Sequence, residues 1–135
     1  MPRIPQCQGV FYRGLRDGLI AFAEAEFRLS ALDDKGHSLR ATLRGLLDRA
    51  RTPERRAGIE AELRVPPAPP QLIYLWNAFR RLSDRRGMGL SGSAPLTWPE
   101  IDAFSRLSGL HLAPWEIEIV EELDRLFLFP PKPAE

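Results

Sequence analysis

Apolar residues recur at helical spacing along most of the chain, broken by clusters of proline and glycine. Leu15, Leu19, Phe22, Ala23, Phe27 and Ala31 lie three or four positions apart and predict a helix over 14–31, because such positions share one side of a 3.6-residue turn. Gly18 falls inside it and costs about 1 kcal/mol relative to alanine. Asp33-Asp34-Lys35-Gly36 reads as a turn. Ser38 can cap a second helix carrying Leu39, Leu43, Leu46 and Leu47 and ending near Arg51. Thr52 and Pro53 then supply the cap and first position of a third helix, which runs to about Leu63. Residues 1–13 contain Val10, Phe11 and Tyr12 and fit either a short strand or an irregular arm.

Val65-Pro66-Pro67-Ala68-Pro69-Pro70 interrupts this pattern. Its prolines fix φ and remove amide donors, so no helix continues through it, and 65–70 is expected to be a stiff connector. It separates an N-terminal helical region, 1–64, from a C-terminal three-helix region, 71–129. Leu72, Leu75, Trp76, Phe79 and Leu82 form a stripe over 70–86, followed by a glycine-rich loop from Gly87 to Pro95. Thr97-Trp98-Pro99-Glu100 is the clearest helix start in the chain. The threonine hydroxyl can accept from the Glu100 amide while the glutamate accepts from the Thr97 amide, with Leu96 and Ile101 as a hydrophobic staple. Ile101, Phe104 and Leu107 carry the apolar face to Gly109, a glycine stop. Pro114 opens the last helix, with Trp115, Ile119, Leu123, Leu126 and Phe127 on one side. Pro130-Pro131-Lys132-Pro133 ends it, leaving 130–135 as a flexible tail. With no period-two alternation, the pattern predicts an all-α fold: a small bundle of about five to six helices with a proline-rich connector.

At 135 residues and 44% hydrophobic, the chain can build one modest core and leaves much surface for partners. No apolar run is long enough to span a membrane, and Met1-Pro2-Arg3-Ile4-Pro5-Gln6 is not a signal-peptide pattern, so a cytoplasmic location is expected. A net charge of +1 exerts no global pull on nucleic acid. Arg40, Arg44, Arg51, Arg55 and Arg56 form a local basic stripe that could meet phosphates. Asp48, Glu54, Glu60 and Glu62 dilute it, and no aromatics interleave for base stacking. The last helix begins with glutamates where a recognition helix needs donors. Nucleic-acid binding is therefore disfavoured.

Catalytic and metal chemistry find little footing. The lone Cys7 reads as a stray thiol near a loose terminus. Gly87, Gly89 and Gly92 follow a helix rather than a strand and lack the lysine of a phosphate loop. Asp102, Glu116, Glu118, Glu121, Glu122 and Asp124 are not joined by a Glu-x-x-His and read as a solvated acidic face. His37 and His111 read as polar loop residues. No catalytic, cofactor or metal residue is assigned, and an enzyme is the least expected class. The tryptophans Trp76, Trp98 and Trp115 carry more information. They suit a core built from large aromatics, expected first for Trp76 and Trp98, and they equally suit anchors for an apolar partner. The candidate partner-binding set is Trp76, Phe79, Trp98, Trp115, Ile119, Leu123 and Phe127.

The Leu75-Trp76-Asn77-Ala78-Phe79 helix and the Pro95-Leu96-Thr97-Trp98-Pro99-Glu100-Ile101-Asp102-Ala103 start carry a resemblance, together with Leu112-Ala113-Pro114-Trp115-Glu116 and Leu123-Asp124-Arg125-Leu126-Phe127-Leu128. Over about 70–128 the chain resembles the small helical tail assembly chaperones of bacteriophages and prophages. That resemblance implies a protein that binds the tape-measure protein, with the tail tube protein as a second candidate partner, in the cytoplasm of the bacterial host. It would keep its client soluble and make or break no bond, with no cofactor. The alternatives are a head–tail or tail completion protein retained in the virion, or a regulator binding nucleic acid through the arginine stripe. Self-association is left open.

Overall fold

The computed structural model describes residues 6–90 and 92–130, with side chains from residue 12 onward. Cys7 and 131–135 of the expected tail therefore lie outside the described side chains or residues. Among the described residues the chain forms six α-helices and one minimal hairpin. They are α1 (Gln6–Ser30), α2 (Leu39–Arg49), α3 (Pro53–Leu63), α4 (Ile73–Asp84), β1 (Met88–Gly89), β2 (Gly92–Ser93), α5 (Trp98–Leu107) and α6 (Pro114–Leu128). The chain is predominantly α-helical, as its patterning predicts.

The helix starts follow the capping chemistry. Ser38 Oγ accepts from the Ala41 amide at 3.1 Å and Thr52 Oγ1 from the Arg55 amide at 3.2 Å. At α5 both halves of the capping box form: Thr97 Oγ1 accepts from the Glu100 amide, and Glu100 Oε2 accepts from the Thr97 amide at 3.0 Å. In α6, Ala113 has no capping side chain, and Glu116 Oε1 alone reaches back to its amide at 2.8 Å. Gly109 ends the α5 turn at φ +76°, a backbone conformation that side chains rarely adopt.

Two elements differ from the sequence pattern. Helix α1 begins at Gln6, so most of the segment expected as a strand or arm is helical. Its local residues are ambivalent, but this part of α1 lies against α6, and the Tyr12 ring meets Trp115 edge-on at 5.4 Å. The glycine-rich loop is a short antiparallel ladder, with Met88 opposite Ser93 and Gly89 opposite Gly92.

Two apolar clusters organise the helices. The larger joins Leu19 and Ala23 of α1, Leu72, then Leu75, Trp76, Phe79 and Leu82 of α4, Ile101 of α5, Leu112, and Ile119, Val120 and Leu123 of α6. The smaller joins Leu29 of α1 to Leu43 of α2 and Ile59 of α3. Helix α1 thus serves both. It is fastened by a forked pair from Arg16 to Glu122 of α6, at 2.8 and 2.7 Å, and by Glu26 accepting from Arg40 of α2 at 3.0 Å. The connector also packs on α1. A Cβ built on Gly18 would sit 3.7 Å from Pro69 Cδ, an ordinary contact.

Helix α5 is positioned by one buried ion pair. The Arg86 side chain, only 4% exposed, faces Asp124 of α6. Its guanidinium donates to the Ala94 carbonyl at 2.9 Å and to Ser83 Oγ, and lies 4.5 Å from the centre of the Phe127 ring. Asp124 Oδ2 accepts from the Leu96 amide at 3.1 Å, just ahead of α5, while its Oδ1 faces Arg86 without an aligned hydrogen bond. One pair therefore ties the end of α4, the exit of the hairpin and the entry to α5 onto α6.

Two stability predictions follow from these contacts. Removing one partner of a buried pair strands the other charge, so Arg86→Ala or Asp124→Ala should lower unfolding free energy by about 3–5 kcal/mol. Urea denaturation measures it, and a loss within the range of a surface substitution would contradict the assignment. Gly18→Ala should raise stability by about 0.5–1 kcal/mol, since helix propensity improves and the new methyl meets Pro69 without a clash. A lowered thermal midpoint for that variant would show that α1 and the connector are closer than this.

Candidate functional site

The seven residues of the candidate set go to different places. Trp76 sits between Phe22, whose ring centre is 5.1 Å away and edge-on, and Phe27 at 5.4 Å. Phe79 packs on Phe27 and Phe127 at 5.8 and 6.2 Å. Trp76, Phe79, Ile119 and Leu123 are buried in the large core. Trp115 is half-buried against Tyr12, and Phe127 reaches the surface over the Arg86 guanidinium. The structure thus gathers Trp76, Phe79 and Phe127 into one aromatic group around Phe27 and leaves Trp98 and Trp115 apart from it.

Trp98 departs from the core expectation, with 73% of its surface exposed. It is the first residue of α5, and Ile101, one turn on, is the only buried side chain of that ten-residue helix. An inward Trp98 would have to share the space that Ile101, Leu96 and Asp124 fill. Trp98 instead borders an open cleft of about 240 Å³ between α5 and α6, together with Pro95, Leu96, Leu128 and Phe129. A larger cleft, about 480 Å³, runs along the other side of α5. Its floor is Leu82, Ala103 and Phe104, and its banks carry Arg81 of α4 with Arg85 just past the helix end, and Glu100, Leu107 and Ser108 on the α5 side.

Leu107 is 85% exposed and Phe129 76% exposed, and neither stood in the candidate set. Leu107 was legible only as one more member of an apolar helix face. The signal that it is superfluous to the core is that α5 carries more apolar residues than its single buried position needs. Phe129 lies one residue beyond α6, where periodicity carries no information.

The acidic residues of α6 are less solvated than their pattern suggests. Glu116 Oε2 accepts the Tyr74 hydroxyl proton while Oε1 caps the helix. Glu122 holds Arg16, and Asp124 is buried beside Arg86. These three acids have partners on neighbouring elements, which is why α6 tolerates them on sides that face the bundle; Glu118 remains on the solvent side. Among the described residues, no three His, Cys, Asp or Glu side chains gather in a metal-binding arrangement. In the arginine stripe, Arg40 is held by Glu26 and Arg56 donates to the Leu47 carbonyl, leaving Arg44, Arg51 and Arg55 exposed. No helix among the described residues is long and apolar enough to cross a membrane.

A family model described as phage tail assembly chaperone matches residues 50–128, more than half of the chain. The protein belongs to the phage tail assembly chaperone family. No curated protein and no solved structure matches it. The chaperone match begins ahead of α3 and takes in the connector, α4, the hairpin, α5 and α6. It is broader than the resemblance at 70–128, and it leaves α1 and α2 outside although α1 completes both apolar clusters. Both clefts along α5 fall within it except for Phe129.

Two phenols packed at the start of α6 are perturbed. Burial, then the hydrogen bond to Glu116, pushes Tyr74 well above the ordinary tyrosine value of 10.0. Burial also raises Tyr12. A raised phenol pKa means that the fold favours the protonated form. The corresponding stability is complete below pH 10.0, the unfolded value, and is lost as pH rises beyond it. Urea midpoints should hold level up to that pH and then fall, and Tyr74→Phe should flatten the fall. An alkaline profile identical in the variant would rule Tyr74 out as its cause.

Proposed function

We propose that this chaperone binds the tape-measure protein of the phage tail and keeps it soluble until the tail tube forms around it, without catalysing a reaction. The carrying observation is that α5 exposes large apolar side chains beside both of its clefts, Trp98 at one and Leu107 at the other, on a scaffold fixed by a buried ion pair. Apolar side chains rimming open clefts suit contact with another protein chain. The tryptophan among them is the side-chain type that dominates interface energetics. In this reading Trp98 and Phe127 make contact with the client, joined by Leu107 and Phe129. Trp115 borders the contact, while Trp76, Phe79, Ile119 and Leu123 hold its shape from beneath.

The family supplies the tail-assembly context, and the tape-measure protein is the client that the resemblance over 70–128 implies. The tail tube protein is a second proposed contact, and the host cytoplasm is the proposed place of action. Asp48, Glu54, Glu60 and Glu62 interleave the arginines of α2 and α3, which favours a protein partner over nucleic acid. A chaperone that leaves its client as the tube closes should be absent from finished particles.

The test is co-expression of the chain with the tape-measure protein, followed by affinity capture from the soluble fraction. The wild-type chain should keep the client soluble and retain it. Trp98→Ala with Leu107→Ala should weaken capture by about thirtyfold, the effect of losing one or two interface anchors of about 2 kcal/mol in total, while the melting temperature stays near wild type. Client solubility that does not depend on this chain, or stable retention of the chain in purified virions, would contradict the proposal.

A further inference from the structure

We propose that the groove between α4 and α5 receives an amphipathic α-helix with an acidic flank; its source in the tape-measure protein rests on the function proposed above. The groove is an open trough with an apolar floor, Leu82, Ala103 and Phe104, and a protruding apolar edge, Leu107. Few polar groups converge within it, as a small-molecule site would require. A trough lined by two helices can take a third helix laid along it, with residues spaced three and four apart set on the floor.

Charge selects which helix. The α4 bank carries Arg81 and Arg85, and among the described residues neither is ion-paired to a carboxylate. The Arg81 guanidinium rests over the Phe104 ring at 5.2 Å, which holds it at the edge of the trough. The carboxylate on the opposite bank, Glu100, is already engaged by the Thr97 amide at 3.0 Å. A helix with glutamates on the side facing α4 would therefore meet two available guanidinium groups. One with lysines there would set like charges against those two groups.

Two synthetic helices of about 18 residues with the same leucine ridge, long enough to hold helical structure, test this directly. One carries glutamates along a flank and the other lysines, and fluorescence anisotropy reads their binding to the full chain. The glutamate helix should bind at least about tenfold more tightly, with the preference shrinking at high salt. Arg81→Glu with Arg85→Glu should reverse the order of the two helices. Leu107→Asp should weaken both about tenfold, and its circular dichroism and melting curve should match wild type because the residue is exposed. Equal binding of the two helices, or an order unchanged by the charge reversal, overturns the proposal. So does a wild-type dimer that Leu107→Asp dissociates, which would assign the groove to a second copy. Tape-measure capture undiminished in the charge-reversed and Leu107→Asp variants would overturn the groove as the client site while leaving the chaperone function standing. Peptide selectivity without any tape-measure capture would support the groove and refute the proposed client.

Discussion

Arg86 and Asp124 bring a full positive and a full negative charge into the apolar part of the molecule, and the C-terminal architecture is arranged around them. Each buried charge is costly unless paired and hydrogen-bonded. The hairpin must therefore deliver the Ala94 carbonyl to Arg86, and the chain must deliver the Leu96 amide to Asp124. Those two deliveries set where Thr97 lies and hence where α5 begins. The flat face of Phe127 closes the site above the guanidinium. A segment that contributes one buried side chain, Ile101, is thereby held in one place by polar contacts at its entrance.

This arrangement explains how the protein can expose large apolar residues and still be well ordered. Apolar burial fixes α1, α4 and α6 to one another through Leu19, Phe79, Ile119 and Leu123. Helix α5 relies on its capping box, on the Leu112 amide donating to Ser105 Oγ at 2.7 Å, and on the Asp124 contact. Trp98 and Leu107 are therefore free for another chain. A rigidly mounted helix also loses little conformational entropy when a partner arrives.

Much of the fold was legible in the sequence because its helix starts are chemically explicit. Ser38, Thr52 with Pro53, Thr97 with Glu100, and Pro114 each mark a boundary that the structure keeps. The start of α1 was not legible, because Val10, Phe11 and Tyr12 are as suited to a strand as to a helix and the deciding contact, Trp115, lies more than a hundred residues away. The side chosen by Trp98 was hidden for a similar reason: at the first helical position, inward and outward placements satisfy the same local pattern. The role of Arg86 was the least legible. An arginine after a helix end reads as solvated, and only the tertiary approach of Asp124, Phe127 and Ala94 buries it. Glu116 and Glu122 were misread as free acids because their partners, Tyr74 and Arg16, sit on other helices.

The central claim is that the protein works by presenting the surface along α5 to another chain. Hydrogen–deuterium exchange with and without the co-expressed tape-measure protein measures this residue by residue. Added protection should concentrate in Trp98–Leu107 and the end of α4, with the α2 and α3 amides unchanged. Protection confined to the arginine-bearing α2 and α3, with α5 exchanging as in the free protein, would contradict it.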